Sequence, residues 1–297
     1  MLAYRHAFHA GNHADVLKHL ALVAVLRHLN LKDKGWRYLD THAGAGGYSL
    51  EGEYAHKRAE FEQGIARLWD RSDLPPLAAD YVAQVRAFNA GAGKGGALRQ
   101  YPGSPALAHA LQRPQDQLRL FELHPTDHKI LASYLGDEPG CQVHLADGFA
   151  GLKGQLPPPT RRGLVLIDPP YEVKTDYTRT LAAFREALQR FPEGVVMVWL
   201  PQLQTVESAQ LPQRLKASAE TGAKKGWLHA RLSVGRADER GFGLLGSHVV
   251  IANPPHTLAA ALRETLPWLA EVLAPEGGAV AAGGAPSLVE NGGGAPG

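Results

Sequence analysis

The sequence predicts an α/β protein built on a doubly wound, largely parallel sheet. Three observations lead there. Short apolar segments alternate with helical patterns along most of the chain. Several of those segments are nearly continuous apolar runs, as expected of strands covered on both faces. Acidic or glycine-rich turns follow the strands at their C-terminal ends, where this architecture binds ligands.

Strands are expected at 36–41 (WRYLDT), 118–123 (LRLFEL), 142–147 (QVHLAD), 163–168 (GLVLID), 194–200 (GVVMVWL), 227–234 (WLHARLSV) and 248–253 (HVVIAN). Helical patterns occupy 13–29, 125–135, 176–191, 203–218 and 256–273. Gly-Phe-Gly within the 235–247 loop suits a hairpin, so the last two of these strands are expected to run antiparallel. The alternation breaks between the turn at 42–48 and the strand at 118. That interval reads as helical at 55–70 and 76–89, then passes through GAGKGG (91–96) to YPGSP (101–105). A helical insertion over 50–103 is therefore expected, set into a main domain formed by 1–49 and 104–274. From Pro275 the chain carries 8 of the 33 glycines and no basic residue. Residues 275–297 are read as a disordered tail, because so little apolar surface cannot offset ordering entropy.

The 297 residues are 44% hydrophobic and 20% charged, which suits a packed globular chain and excludes a disordered one. A single cysteine, Cys141, excludes a disulfide framework and a multi-cysteine zinc site. No run approaches 18 apolar residues, and the N-terminus lacks the apolar core of a secretory signal. The expectation is a soluble cytoplasmic protein. The net charge of +2 is uninformative as a whole, but 1–38 and 214–240 each carry a local excess of basic residues. Such clusters supply sequence-independent attraction to phosphate, or merely a solvated face.

The most specific chemistry lies in Asp168-Pro169-Pro170-Tyr171, directly after the apolar run GLVLI. An exocyclic amine conjugated to a purine is a weak nucleophile. A carboxylate can accept from that NH2, and the Pro169 carbonyl can accept the second hydrogen. Proline brings no competing N–H and holds the turn rigid. Tyr171 offers a face for a flipped base. A plain strand-ending turn is the alternative. Leu39 to Tyr48 runs a strand into small residues that let backbone approach a ligand closely, without GxGxxG spacing. Glu122 closes the next strand, where an acid commonly holds ribose hydroxyls. Asp147-Gly148 closes the one after, where an acid can accept from an adenine amine. Small turn, acid and acid at consecutive strand ends form the pattern of an S-adenosylmethionine pocket, with Asp168 at the fourth end.

Five of fourteen histidines fall in the first 28 residues, and His9/His13 and His124/His128 are spaced i, i+4. Neither pair has the glutamate of a zincin helix, so no metal is expected. Asn253-Pro254-Pro255 also follows an apolar run, but lacks an aromatic successor and reads as a turn into the last helix.

Together these stretches resemble the bacterial 23S ribosomal RNA adenine-N6 methyltransferase J family. The resemblance rests on YRHAFHAGNHADVLKH (4–19), YLDTHAGAGGY (38–48), YPGSP (101–105), ELHPTD (122–127), ADGF (146–149), RRGLVLIDPPYEVKTDY (161–177) and NPP (253–255). It implies a Rossmann-like S-adenosylmethionine-dependent methyltransferase sheet with an inserted helical subdomain. It implies that His19, His42, Ser104, Glu122, Asp147, Gly148 and Asp168 line the cofactor site, with Lys18 beside His19 on the first helix, and that Asp168 is the catalytic acceptor. It implies that Tyr4 contacts the RNA, and that the partner is 23S rRNA, free or in early assembly, met by a monomer. From the residues alone, a DNA adenine methyltransferase, a nicotinamide dehydrogenase and a non-catalytic RNA-binding protein remain open.

Overall fold

The computed structural model describes residues 9–51, 60–90, 96–235, 243–275 and 285–293. Its centre is an eight-stranded sheet in the order β10-β8-β9-β7-β6-β1-β4-β5. The strands are β1 (Arg37–Asp40), β4 (Gln117–Glu122), β5 (Cys141–Leu145), β6 (Gly163–Ile167), β7 (Val195–Gln202), β8 (Trp227–Ser233), β9 (Gly246–Ala252) and β10 (Ser287–Gly292). From β7 to β5 every neighbour is parallel. β9 is antiparallel to both β7 and β8. All five residues of β6 are buried, which explains its unbroken apolar run.

Helices cover both faces. On one lie α1 (His13–Asn30), α4 (Ser104–Ala110), α5 (Pro125–Leu135) and α9 (Leu258–Val272), with the insertion. On the other lie α6 (Gly148–Gln155), α7 (Lys174–Arg190) and α8 (Val206–Gly222). The α1 helix starts because Asn12 accepts from the backbone N–H of Ala14 and Asp15, both at 3.0 Å. Its Leu17, Leu20, Leu22 and Leu26 are fully buried, so truncating any one to alanine costs about 2–5 kcal/mol. The helix is buried nearly all round because sheet and insertion enclose it together.

The segment expected as an insertion begins at β2 (Gly47–Ser49) and ends at β3 (Gln100–Pro102), and these two strands pair antiparallel. Between them come a 3-10 turn at Glu60–Gln63, α2 (Ala66–Trp69) and α3 (Pro76–Ala90). Ile65, Leu68, Tyr81, Val82 and Val85 join the same apolar cluster as α1, so the insertion shares the main core.

One expectation is corrected. Within the tail read as disordered, Ser287–Gly292 form β10, paired residue by residue with β8. Apolar burial was the wrong measure. The strand is held by a backbone ladder, by Val289 against the core and by Glu290, which accepts from the Lys216 ammonium at 2.8 Å. Residues 276–284 and 294–297 lie outside the described residues.

Candidate active site

A cavity of about 710 Å³ opens at the C-terminal ends of the parallel strands. It sits where β1 separates β6 on one side from β4 on the other, the switch point at which open α/β sheets bind ligands.

The loop after β1 forms one wall. Asp40 is fully buried and accepts from the hydroxyls of Tyr38 and Ser104, each at 2.6 Å, and from the His42 N–H at 3.2 Å. Burial pushes its carboxyl up to about 6, against the pull of those donors. Ser104 therefore lines the cavity with its hydroxyl proton committed to Asp40. Gly44 and Gly46 have φ of 63° and 82°, conformations that side chains resist. The turn they make brings the Gly44 N–H to Glu122, at 2.8 Å. His42 lies edge-on to Phe149 and is pushed down to about 4 by burial, so it is neutral at pH 7. His19 shares a 2.7 Å hydrogen bond with the Tyr101 hydroxyl, tying α1 to the insertion.

Glu122 ends β4 and also accepts from the His124 N–H at 2.7 Å. Burial holds its carboxyl above the usual glutamate value. Asp147 caps α6, accepting from the Phe149 N–H at 2.9 Å, and pairs with Arg179 of α7. Burial works to raise Asp147, but Arg179 and the helix amides prevail, and it titrates below the ordinary value. At Gly148 a Cβ would stand 2.0 Å from the Thr41 carbonyl oxygen, so only glycine lets α6 meet the β1 loop.

Asp168 follows β6. Its Oδ2 accepts from the Lys18 ammonium at 2.7 Å, and the same ammonium meets Asp15 at 2.8 Å. Burial disfavours the lysine charge, yet two flanking carboxylates hold it well above its usual value. Pro169 and Pro170 line the cavity beside Asp168. Tyr171 does not. It adopts a φ of 53°, is 6% exposed, rests on Tyr177 and donates its hydroxyl to the Trp199 carbonyl at 2.8 Å. The expected stacking face is thus packed among Tyr177 and the residues under α7, after a left-handed turn that follows two prolines. Tyr4 lies outside the described residues.

The basic clusters divide. Arg27 pairs with Asp80, and Arg37 begins β1 at the end away from the cavity. Lys216 is spent on Glu290. Arg179 is half-exposed at the cavity wall. Asn253 donates to the carbonyls of Pro192 and Gly194 and accepts from the Lys225 N–H, binding loops together at the opposite pole. Cys141 is buried. Among the described residues no group of three or more His, Cys, Asp or Glu is placed to hold a metal ion. His9 is instead 2.9 Å from Glu60 of the insertion.

Sequence reasoning passed over Asp15, Arg179 and Trp199, all of which line the cavity. Only Asp15 left a signal, lying three residues before Lys18 on one helix face.

Residues 33–282 match the family described as "Ribosomal RNA large subunit methyltransferase D, RlmJ". The chain belongs to this family. It is a methyltransferase. It is 45% identical over 277 residues to "Ribosomal RNA large subunit methyltransferase J" of Haemophilus influenzae, spanning 93% of this chain and 96% of that protein. The protein of the same name from Escherichia coli K12 is 44% identical over the same coverage. Among solved structures, protein LPL1258 of Legionella pneumophila superimposes with a TM-score of 0.82 at 32% identity, covering 96% of this chain and 98% of that one.

Proposed function

We propose that this methyltransferase moves a methyl group from S-adenosylmethionine to the exocyclic N6 of one adenine in 23S rRNA, acting as a cytoplasmic monomer on free or early-assembly RNA. The observation that carries it is Asp168-Pro169-Pro170 at the end of β6, in one cavity with Glu122 and Asp147. The names of the family and of its close relatives support ribosomal RNA as the substrate class.

The residues fit the cofactor. Gly44 and Gly148 line the cavity, and Gly148 lets the start of α6 close against the β1 loop there. Each Glu122 oxygen accepts one backbone N–H and keeps a lone pair for ribose hydroxyls. Asp147 suits an adenine amine. Three carboxylates and a neutral His42 favour a cationic sulfonium, whereas a charged histidine would repel it. S-adenosylmethionine supplies an electrophilic methyl when bound.

The chain's own part is positioning. Asp168 and the Pro169 carbonyl accept the two amine hydrogens, holding the nitrogen lone pair toward the donor. Lys18 fixes the Asp168 carboxylate from behind. Arg179, half-exposed at the cavity wall, attracts phosphate. Methyl transfer to a 23S rRNA fragment, mapped to one adenine and lost in Asp168→Asn, is the expected result. Equal transfer to duplex DNA, or normal transfer by the variant, would overturn it.

A further inference from the structure

Tyr171 faces away from the cavity, so the aromatic surface for a flipped base must come from elsewhere. The register of the sheet supplies it. Ile167 of β6 pairs with Val198 of β7 in parallel. Asp168 and Trp199 come next along the two chains, and Leu166 and Met197, two residues before them, pack in the cluster that includes α1. Lys18 of α1 touches both Asp168 and Trp199. Its ammonium is 2.7 Å from Asp168 and 5.6 Å from the Trp199 ring centroid. Trp199 lines the cavity together with Asp168, Pro169 and Pro170, whereas Tyr171 packs in the cluster beneath α7 and α8.

Trp199 is also braced. Tyr171 lies 6.1 Å from it, centroid to centroid, and hydrogen-bonds to its carbonyl oxygen. Tyr171, the last residue of the turn, thereby supports the strand that carries the Trp199 ring. The Trp199 Nε1 is buried and has no hydrogen-bond partner among the described residues, so the fold makes no use of the indole's polar atom.

From these relationships we infer that Trp199 is the base-binding aromatic residue, the ring against which the target adenine lies while Asp168 holds its amine. The inference rests on the adenine-N6 reading above and adds to it the identity of the stacking residue. Stacking on an aromatic side chain accounts for roughly a 5- to 150-fold change in binding.

The test uses Trp199→Leu, Trp199→Phe and Tyr171→Leu in the full chain, with calorimetric S-adenosylhomocysteine binding to show that each is folded. Expected for Trp199→Leu is a KM for the rRNA fragment raised about 10- to 100-fold, with cofactor affinity within twofold of wild type and the phenylalanine variant recovering most of the loss. Adenosine 5′-monophosphate should quench wild-type tryptophan fluorescence, and should fail to do so in Trp199→Phe. An unchanged KM in Trp199→Leu, a KM defect confined to Tyr171→Leu, or equal quenching in Trp199→Phe would overturn the inference. Should Trp199→Leu not fold, the quenching comparison decides alone. Failure of wild type to methylate adenine in rRNA would sink the functional reading and leave the nucleotide-quenching result standing separately.

Discussion

The Lys18 ammonium lies between two carboxylates, 2.7 Å from the partly exposed Asp168 and 2.8 Å from the buried Asp15. It belongs to both stability and chemistry. Removing it leaves like charges facing each other without compensation. Lys18→Met should cost about 3–5 kcal/mol of stability and reduce methyl transfer at least a hundredfold. Adding Asp15→Asn should restore part of the melting temperature and none of the activity. Thermal melts and methyl incorporation into rRNA check both statements.

Gly148 offers a steric prediction. An added Cβ would meet the Thr41 carbonyl oxygen at 2.0 Å, so Gly148→Ala must push α6 off the β1 loop. Cofactor affinity should fall more than tenfold by calorimetry. Gly154, in the same helix, has nothing within 4 Å of its would-be Cβ. Gly154→Ala should bind cofactor normally and melt at the same temperature or slightly higher.

The Glu122 carboxyl is raised by burial above its ordinary 4.5. It therefore takes up a proton at a higher pH than an exposed glutamate, and loses acceptor capacity as it does. Cofactor affinity should weaken as the pH falls toward 4.5, beginning above that value. In Glu122→Gln affinity should be low throughout and this pH dependence absent.

His229 and His248 share a 2.9 Å hydrogen bond inside the sheet. Around them stand Lys216, Arg231 and Glu290. Burial, chiefly, pushes His229 down to about 4 and His248 to about 3. Both folded-state values lie below the unfolded 6.5, so protons favour the unfolded chain. Their contribution to stability is complete above 6.5 and is lost as the pH drops toward 4 and 3. The melting temperature should fall on the order of 5–10 °C between pH 7 and 5, and by less in His248→Asn.

Ending the chain at Pro275 removes β10. The edge of β8 would be uncovered and Lys216 would lose Glu290. The truncated protein should melt several degrees lower and aggregate more readily, since an unpaired edge invites association. Light scattering on heating gives the comparison.

The sheet and its flanking helices were legible because several buried strands write their burial into nearly continuous apolar runs. The acids at 122, 147 and 168 were legible because strand ends in this architecture point at the ligand. β10 was not, because SLVENG holds its place by backbone pairing and one ion pair, and neither leaves a compositional mark. The orientation of Tyr171 was hidden for a different reason. A single left-handed φ decides where the ring packs, and tyrosine gives no sign of adopting one. Arg179 read as one charge among many on a helix, since its partner Asp147 lies 32 residues away.

The cavity draws its walls from Lys18 near one end of the chain and Gly243 and Leu244 near the other. A ribosome making this protein must release the strands on both sides of the 235–247 loop before the pocket can close. Partial chains hold every acid and its partners yet lack this last part of the cavity wall.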